Sequence, residues 1–262
     1  MIRPELKHYL RQPSAQDDKY SRGVVGFITG SEQYPGAAIL GVTAAMRTGI
    51  GMVRYLGPRS VGDLLLQVRP EAVLSDGRAQ AWVFGSGVPP GAAGNSFIQE
   101  HFEAAELAVV DAGAIELLDL QARTGLVVLT PHAGELARLL GISREEVEQD
   151  PANKAKLGAA LTDCFVLLKG NTSFIASPDR ELRELADLSP ALSTAGTGDV
   201  LAGILGALFA ANHDAAVENA FVDLIELGVQ IHSDAAEFAS KGGPVVALDV
   251  AEAVRHVIAE VN

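Results

Sequence analysis

Short apolar runs bounded by glycine or proline alternate along the chain with longer stretches of helical periodicity. Residues 23–30 form the first such run and predict a buried strand. Pro35 opens an alanine-rich helix over 37–48, Gly49 stops it, and 50–56 is the next strand. Strand, glycine loop, helix and strand make a βαβ unit, with parallel pairing and a right-handed crossover. The alternation continues with a short helix to residue 69 and a weak strand over 70–74. Further strands fall at 81–84, 107–110, 126–129 and 165–168. Helices are predicted over 95–105, 114–120, 134–140 and 153–162, and Ser143 with Glu146 fits a capping box. Segments 174–176 and 182–185 read as antiparallel edge strands. Two long helices, 198–211 and 214–240, precede a short segment at 245–248 and a last helix over 249–260. Residues 1–20, interrupted by Pro4 and Pro13, predict an extended or partly disordered arm. The expected organisation is an arm over 1–22 and one domain over 23–262. That domain is α/β, three α/β/α layers around a mostly parallel central sheet.

Ligands bind such sheets beyond the carboxyl ends of the strands. Those ends carry Thr29-Gly30, Gly85-Ser86-Gly87 (then Pro89-Pro90-Gly91), Asp111-Ala112-Gly113, Thr130-Pro131-His132 and Lys169-Gly170-Asn171. Downstream, Ala195-Gly196-Thr197-Gly198-Asp199 runs straight into the apolar stretch from Val200 to Ala211. Gly196 and Gly198 let the turn lie close to a ligand. The unpartnered amides and the dipole of the following helix suit a phosphate. Asp199 is either a first-turn acid that favours the helix or a base for a substrate hydroxyl beside that anion site. Lys169, ending an apolar strand, is either snorkelling to solvent or a phosphate contact, and Gly170-Asn171-Thr172-Ser173 after it favour a nucleotide. His132 is either a solvated loop residue or a ligand contact. His8, His101, His213, His232 and His256 have no metal spacing and read as surface residues. Gly85-Ser86-Gly87 lacks the third glycine of a dinucleotide fingerprint, and no Walker A motif occurs.

Composition narrows the classes. The 262 residues suffice for a full core, and 48% hydrophobic with 20% charged residues is ordinary for a globular protein. A net charge of −13 disfavours nonspecific binding to nucleic acid or anionic membranes. The single cysteine, Cys164, forms no intrachain disulfide and reads as a buried structural thiol. The first 13 residues have no signal-peptide core, and the longest apolar run is too short to span a bilayer, so a cytoplasmic protein is expected.

Together these motifs resemble the ADP-dependent NAD(P)H-hydrate dehydratases, a branch of the ribokinase-like superfamily. The resemblance runs from about residue 23 to 237 and rests on Gly30-Ser31-Glu32-Gln33-Tyr34-Pro35-Gly36-Ala37-Ala38, Pro70-Glu71-Ala72, Asp111-Ala112-Gly113-Ala114, Leu129-Thr130-Pro131-His132-Ala133-Gly134-Glu135, Leu168-Lys169-Gly170-Asn171 and the turn at Gly196–Asp199. It implies a ribokinase-like lyase that repairs NADHX and NADPHX, the hydrates of NADH and NADPH, with ADP and Mg²⁺. The hydroxyl would be phosphorylated and phosphate then expelled, leaving NAD(P)H, AMP and phosphate. Ala38, Gly87, His132 and Asp199 would contact the hydrate. Lys169, Gly170, Asn171, Thr172, Ser173 and Gly198 would hold the nucleotide, with Gly196 and Gly198 in the anion hole. A homo-oligomer, such as the tetramer common in the family, and a separate epimerase in the same pathway are implied too. The sequence departs from the family at Ala195, where many members have glycine, and over 188–192. An ATP-dependent kinase of a vitamin-precursor alcohol would share the turn and Asp199 without needing the His132 motif. A non-catalytic nucleotide-binding protein would need only the anion hole and Lys169.

Overall fold

Strand residues alternate between two apolar layers. Val25, Phe27, Val83 and Val109 belong to one buried cluster, and Ile28, Phe84, Ala108 and Val110 to the other. A sheet buried on both faces needs helices on both, so its strands are nearly continuous in apolar residues. The protein is described here by a computed structural model, covering residues 2–89 and 96–261. In chain order the elements are β1 (Val24–Ile28), α1 (Pro35–Thr48), β2 (Met52–Tyr55), α2 (Arg59–Val68), β3 (Ala81–Phe84), α3 (Ser96–Glu103), β4 (Leu107–Val110), α4 (Ala114–Leu117), β5 (Leu126–Leu129), α5 (Ala133–Leu140), α6 (Arg144–Gln149), α7 (Pro151–Thr162), β6 (Phe165–Leu168), β7 (Ser173–Ala176), β8 (Leu182–Leu185), α8 (Thr197–Ala211), α9 (His213–Ala215), α10 (Phe221–Ser240) and α11 (Ala247–Val261). They form one eight-stranded sheet, ordered β2-β1-β3-β4-β5-β6-β7-β8. Pairing is parallel from β2 to β6, and β7 and β8 close that edge as an antiparallel hairpin. The expected fold class is the observed one.

Helix α8 is apolar all round and therefore central. It packs on β1, β3 and β4 on one side and on α1, α10 and α11 on the other. Two glycines set its distance from α1. A Cβ on Gly203 would stand 2.1 Å from the carbonyl oxygen of Gly41. Because α8 is wedged between sheet and helices, its first turn is held rigidly above the strand ends.

Three expectations change. The N-terminal residues are not a loose arm. Ile2, Leu6 and Leu10 are buried around a 3₁₀ turn at Pro4–Tyr9, and Arg3 Nε lies 2.6 Å from Glu226 Oε1 on α10. Their four-residue spacing supplies one apolar stripe, which the prolines obscured in the sequence. The helix expected over 214–240 is interrupted by a π turn at 216–220. Segment 70–74 makes only an isolated parallel bridge on the outer edge of β2, Arg54 with Val73, in which the Val73 amide donates to the Val53 carbonyl and its carbonyl accepts from the Tyr55 amide. Asn95, Pro90 and Gly91 lie outside the described residues.

Candidate active site

Four buried polar side chains lie at the carboxyl ends of the parallel strands. Thr29 follows β1, Ser86 lies just past β3, Asp111 follows β4 and Thr130 follows β5, all nearly inaccessible. An unpaired buried polar group is costly; the Thr29 hydroxyl has no partner, and the other three converge. Asp111 Oδ1 accepts from Lys169 Nζ at 2.7 Å and from Thr130 Oγ1 at 2.7 Å, while Oδ2 accepts from Ser86 Oγ at 3.0 Å. Burial pushes the Asp111 carboxyl up, but the Lys169 charge and these donors outweigh it and hold it below the usual carboxylate range. Burial works against the Lys169 ammonium, yet Asp111, then Glu135 and Asp199, leave it above the ordinary lysine value. Both groups are charged, and they bridge the ends of β4 and β6.

Lys169 is therefore neither snorkelling nor free. Its ammonium also reaches the start of α8, since a Cβ on Gly198 would lie 3.3 Å from Nζ. There Gly196 caps the helix at φ 91° and ψ −8°, a left-handed conformation that favours glycine. A Cβ on Gly196 would also stand 2.6 Å from Leu40 Cδ1 and 3.0 Å from Ala247 Cβ, so a side chain there would have to push the Leu40 tip aside. The first intrahelical bond runs from the Val200 amide to the Gly196 carbonyl at 3.2 Å, so the amides of Thr197, Gly198 and Asp199 precede the helical ladder. Thr197 Oγ1 donates to the carbonyls of Leu192 and Thr194, at 2.9 and 3.0 Å, and pins the turn.

Asp199 sits in the first turn of α8. Burial, then the Asp111 charge, push its carboxyl up to about 7, with Lys169 pulling the other way. A side chain that only capped the helix would be ionised well below neutrality. A carboxyl poised near 7 can exchange protons at the pH of the reaction.

His132 has a structural duty that the sequence reading did not foresee. It caps α5, its Nδ1 accepting from the amides of Gly134 at 3.0 Å and Glu135 at 3.3 Å, while Glu135 Oε2 accepts from the His132 amide at 2.8 Å. That leaves the ring proton on Nε2, 3.3 Å from Glu135 Oε1. Desolvation lowers its basicity against the pull of Glu135, and Lys169 and Arg138 lower it further. A neutral ring protonated at Nε2 is a hydrogen-bond donor, with Glu135 beside it, and not a base.

Two cavities flank the Gly170–Thr172 turn. One, of about 350 Å³, is bordered by Lys169, Gly170, Asn171, Ser173, Thr197 and Gly198, and by the apolar side chains of Leu188, Leu192, Leu201 and Val229. The other, of about 700 Å³, lies towards α6 and α7, and His132 borders both. Thr172 faces only the larger one. Ala38 and Gly87 gather instead around the end of β1. Ala38 is fully buried, and a Cβ on Gly30 would lie 3.1 Å from its Cβ, while one on Gly87 would lie 2.6 Å from Ala37 Cβ. Neither Ala38, Gly87, Gly196 nor Asp199 borders either cavity.

His232 is a correction. It was expected on the surface, but it is 5% exposed on α10, borders the smaller cavity and bonds to the Thr197 backbone, with Nε2 unpartnered. Burial, then the Lys169 charge, push it down to about 3 against that bond. Helical spacing from Ile225, Gly228 and Val229 put it on the buried stripe, a signal the scattered-histidine reading passed over. Asp111 was noted as a strand end, but its pairing with Lys169 across 58 residues was not legible. Cys164 is buried as expected.

Among the described residues no cluster of three or more His, Cys, Asp or Glu side chains is placed to hold a metal ion. No single helix among them is long and apolar enough to cross a membrane.

A mostly parallel sheet whose strand ends face a glycine turn, an anion-binding helix start and an acid in its first turn defines a ribokinase-like nucleotide protein. The Carb_kinase family, described as NAD(P)H-hydrate dehydratase, matches residues 25–254. The chain belongs to the NAD(P)H-hydrate dehydratase family. It is 31% identical over 217 residues to the ADP-dependent (S)-NAD(P)H-hydrate dehydratase of Bacillus subtilis, covering 78% of this chain and 79% of that one. It is 40% identical over 221 residues to the bifunctional NAD(P)H-hydrate repair enzyme Nnr of Corynebacterium glutamicum, covering 77% of this chain and 38% of that relative. The chain thus spans about two fifths of the length of such bifunctional relatives. A crystal structure of the ADP/ATP-dependent NAD(P)H-hydrate dehydratase from Bacillus subtilis, co-crystallized with ATP/Mg²⁺, superposes with a TM-score of 0.85 at 27% identity, covering 99% of this chain and 98% of that one.

Proposed function

We propose that the protein dehydrates the hydrates of NADH and NADPH, using ADP as phosphoryl donor and releasing AMP and phosphate. The observation that carries this reading is Asp199, poised at about 7 in the first turn of α8 beside the Lys169–Asp111 pair. Family membership and the relatives' names supply the substrate class.

In this reading the nucleotide lies in the smaller cavity, its base against Leu188, Leu192, Leu201 and Val229 and its phosphates towards Lys169 and Gly198. Asp199 takes the proton of the hydrate hydroxyl as that oxygen attacks the terminal phosphorus of ADP. The bond to AMP breaks, and the amides of Thr197, Gly198 and Asp199 receive the charge on the transferring group. Each such donor is worth roughly 3–4 kcal/mol in a transition state. The ring nitrogen then expels phosphate from the carbon that bore the hydroxyl. Loss of a proton from the neighbouring carbon restores the double bond. His132 orients the hydrate through its Nε2–H. The contacts expected from Ala38 and Gly87 belong to the same proposal. Ala38 is closed to solvent, so that contact needs a local opening around Gly30. Among the described residues no set of side chains is placed to hold magnesium alone, so no residue is assigned to it and no step depends on it. It is held commonly through substrate phosphates.

The test mixes purified protein with prepared NADHX, Mg²⁺ and either ADP or ATP, and follows the absorbance of restored NADH. A rise with ADP and little with ATP is expected. A rise with ATP alone overturns the donor, and no rise with either overturns the activity.

A further inference from the structure

The larger cavity is not used by the steps above. It has a volume of about 700 Å³, twice its neighbour's, and shares Lys169, Gly170, Asn171 and His132 with it, so the two adjoin at Lys169 and His132. Its apolar walls are Val147 of α6, Pro151 at the start of α7, Leu168 of β6 and Phe174 of β7. Its acids are Glu148 and Glu184. Glu148 is spent on Arg144, 2.7 Å from its Nε. The Glu184 side chain makes no hydrogen bond or ion pair among the described residues, and it stands opposite Phe174 in the β7–β8 register, so acid and ring face the same space.

We propose that this cavity receives the adenosine end of the dinucleotide hydrate and that Glu184 selects a free ribose 2′-hydroxyl over a 2′-phosphate, making NADHX the preferred substrate. The proposal rests on the dehydratase reading. Two adenine-bearing molecules must then meet at Asp199. The smaller cavity is lined by one cation, Lys169, and by several apolar side chains, which suits a single mononucleotide, and sites of about 300–1,000 Å³ typically take one small-molecule ligand. The hydrate is a dinucleotide, and its reactive ring belongs beside Asp199 and His132. Its other half needs a second apolar compartment that begins at His132, which the larger cavity provides. A carboxylate accepts from a ribose hydroxyl and repels a phosphate there. The same chemistry lets an acidic residue read the ribose of NAD in dinucleotide folds. Arg144 does not reverse this, because its charge is already matched by Glu148.

The test is steady-state kinetics of the full chain on NADHX and NADPHX with saturating ADP, for the wild type, Glu184→Gln and Glu184→Lys. Glu184 is exposed on an edge strand, and melting curves confirm that the variants fold. The wild type is expected to favour NADHX by about tenfold in kcat/KM, a screened like-charge effect. Glu184→Gln shrinks that ratio and Glu184→Lys inverts it, through the KM of NADPHX and with the KM of ADP unchanged. Turnover of both hydrates at one ratio in all three proteins overturns the proposal and leaves the activity standing. A shift in the KM of ADP instead assigns the cavity to the donor and also overturns it. No turnover of either hydrate overturns the dehydratase reading and this inference together.

Discussion

Lys169 Nζ lies 2.7 Å from Asp111 Oδ1, joining the ends of β4 and β6 directly below the first turn of α8. A buried pair of this kind contributes little net stability, but losing one partner strands the other charge and costs about 3–5 kcal/mol. Asp111→Asn is therefore expected to lower the unfolding free energy by about that amount, and adding Lys169→Met should recover part of it. Urea denaturation of the two single variants and the double variant measures the coupling. Additive losses would mean that the pair is not coupled.

Asp199 gives a pH signature with a defined sign. Its folded value, about 7, is above its ordinary 3.8, so the folded protein binds the extra proton between these values. Stability associated with that proton is fully present below the ordinary value and is lost as pH rises to about 7. Asp199→Asn removes the titration. Its melting temperature should gain on the wild type from pH 4 to 7, then hold a constant lead. The wild-type kcat/KM should rise with a midpoint near 7, since in the proposed reaction the ionised carboxylate is the base. In Asp199→Asn it should be flat and about 10²–10⁴-fold lower. Asp111→Asn should move that midpoint to lower pH, since the Asp111 charge helps hold Asp199 up. A midpoint that moves upward would show that Asp111 acts on Asp199 in another way.

The sheet was the most legible part of the molecule. Runs such as 107–110 and 165–168 are all apolar and flanked by polar or glycine residues, and they emerge as β4 and β6 with those bounds. The turn at Gly196 was also legible, because a left-handed cap followed by an apolar helix leaves a local trace. Less legible were features made by distant residues. Asp111 and Lys169 each look like an ordinary strand end, and only the parallel register brings them together. His132 looked like a loop residue because a histidine cap lacks the usual serine or aspartate cue. The docking of residues 2–10 depends on Glu226, Gln230 and Asn212, which no local pattern connects to them.

His232 is expected to act on the turn and not by titration. Its value of about 3 keeps it neutral throughout the working range, and its bond to the Thr197 backbone ties α10 to the anion hole. His232→Leu leaves that backbone group without its partner, at about 1–3 kcal/mol of stability. The KM for ADP should rise more than kcat falls, and the ratio of variant to wild-type activity should be the same at pH 6 and pH 8. A ratio that changes with pH would make His232 a proton carrier.

Gly203 and Gly41 let α8 and α1 approach backbone to backbone, and this contact fixes where Asp199 stands. A methyl group on Gly203 would sit 2.1 Å from the Gly41 carbonyl oxygen, 2.8 Å from its carbon and 2.9 Å from its Cα. All three are backbone atoms, so no rotamer change relieves the overlap and the helices must separate. Overpacking in a close-packed core costs typically about 1–3 kcal/mol, and a backbone clash belongs at or beyond the upper end. Gly203→Ala should therefore melt well below the wild type, although alanine is the better helix former by about 1 kcal/mol. The separation would also lift the first turn of α8 from Lys169, so whatever folds should lose kcat on the hydrate. Gly242→Ala is the control, because its Cβ would meet nothing within 4 Å and its φ of 83° adds only local strain. A Gly203→Ala protein with unchanged melting temperature and turnover would show that the α1–α8 contact does not set the position of Asp199.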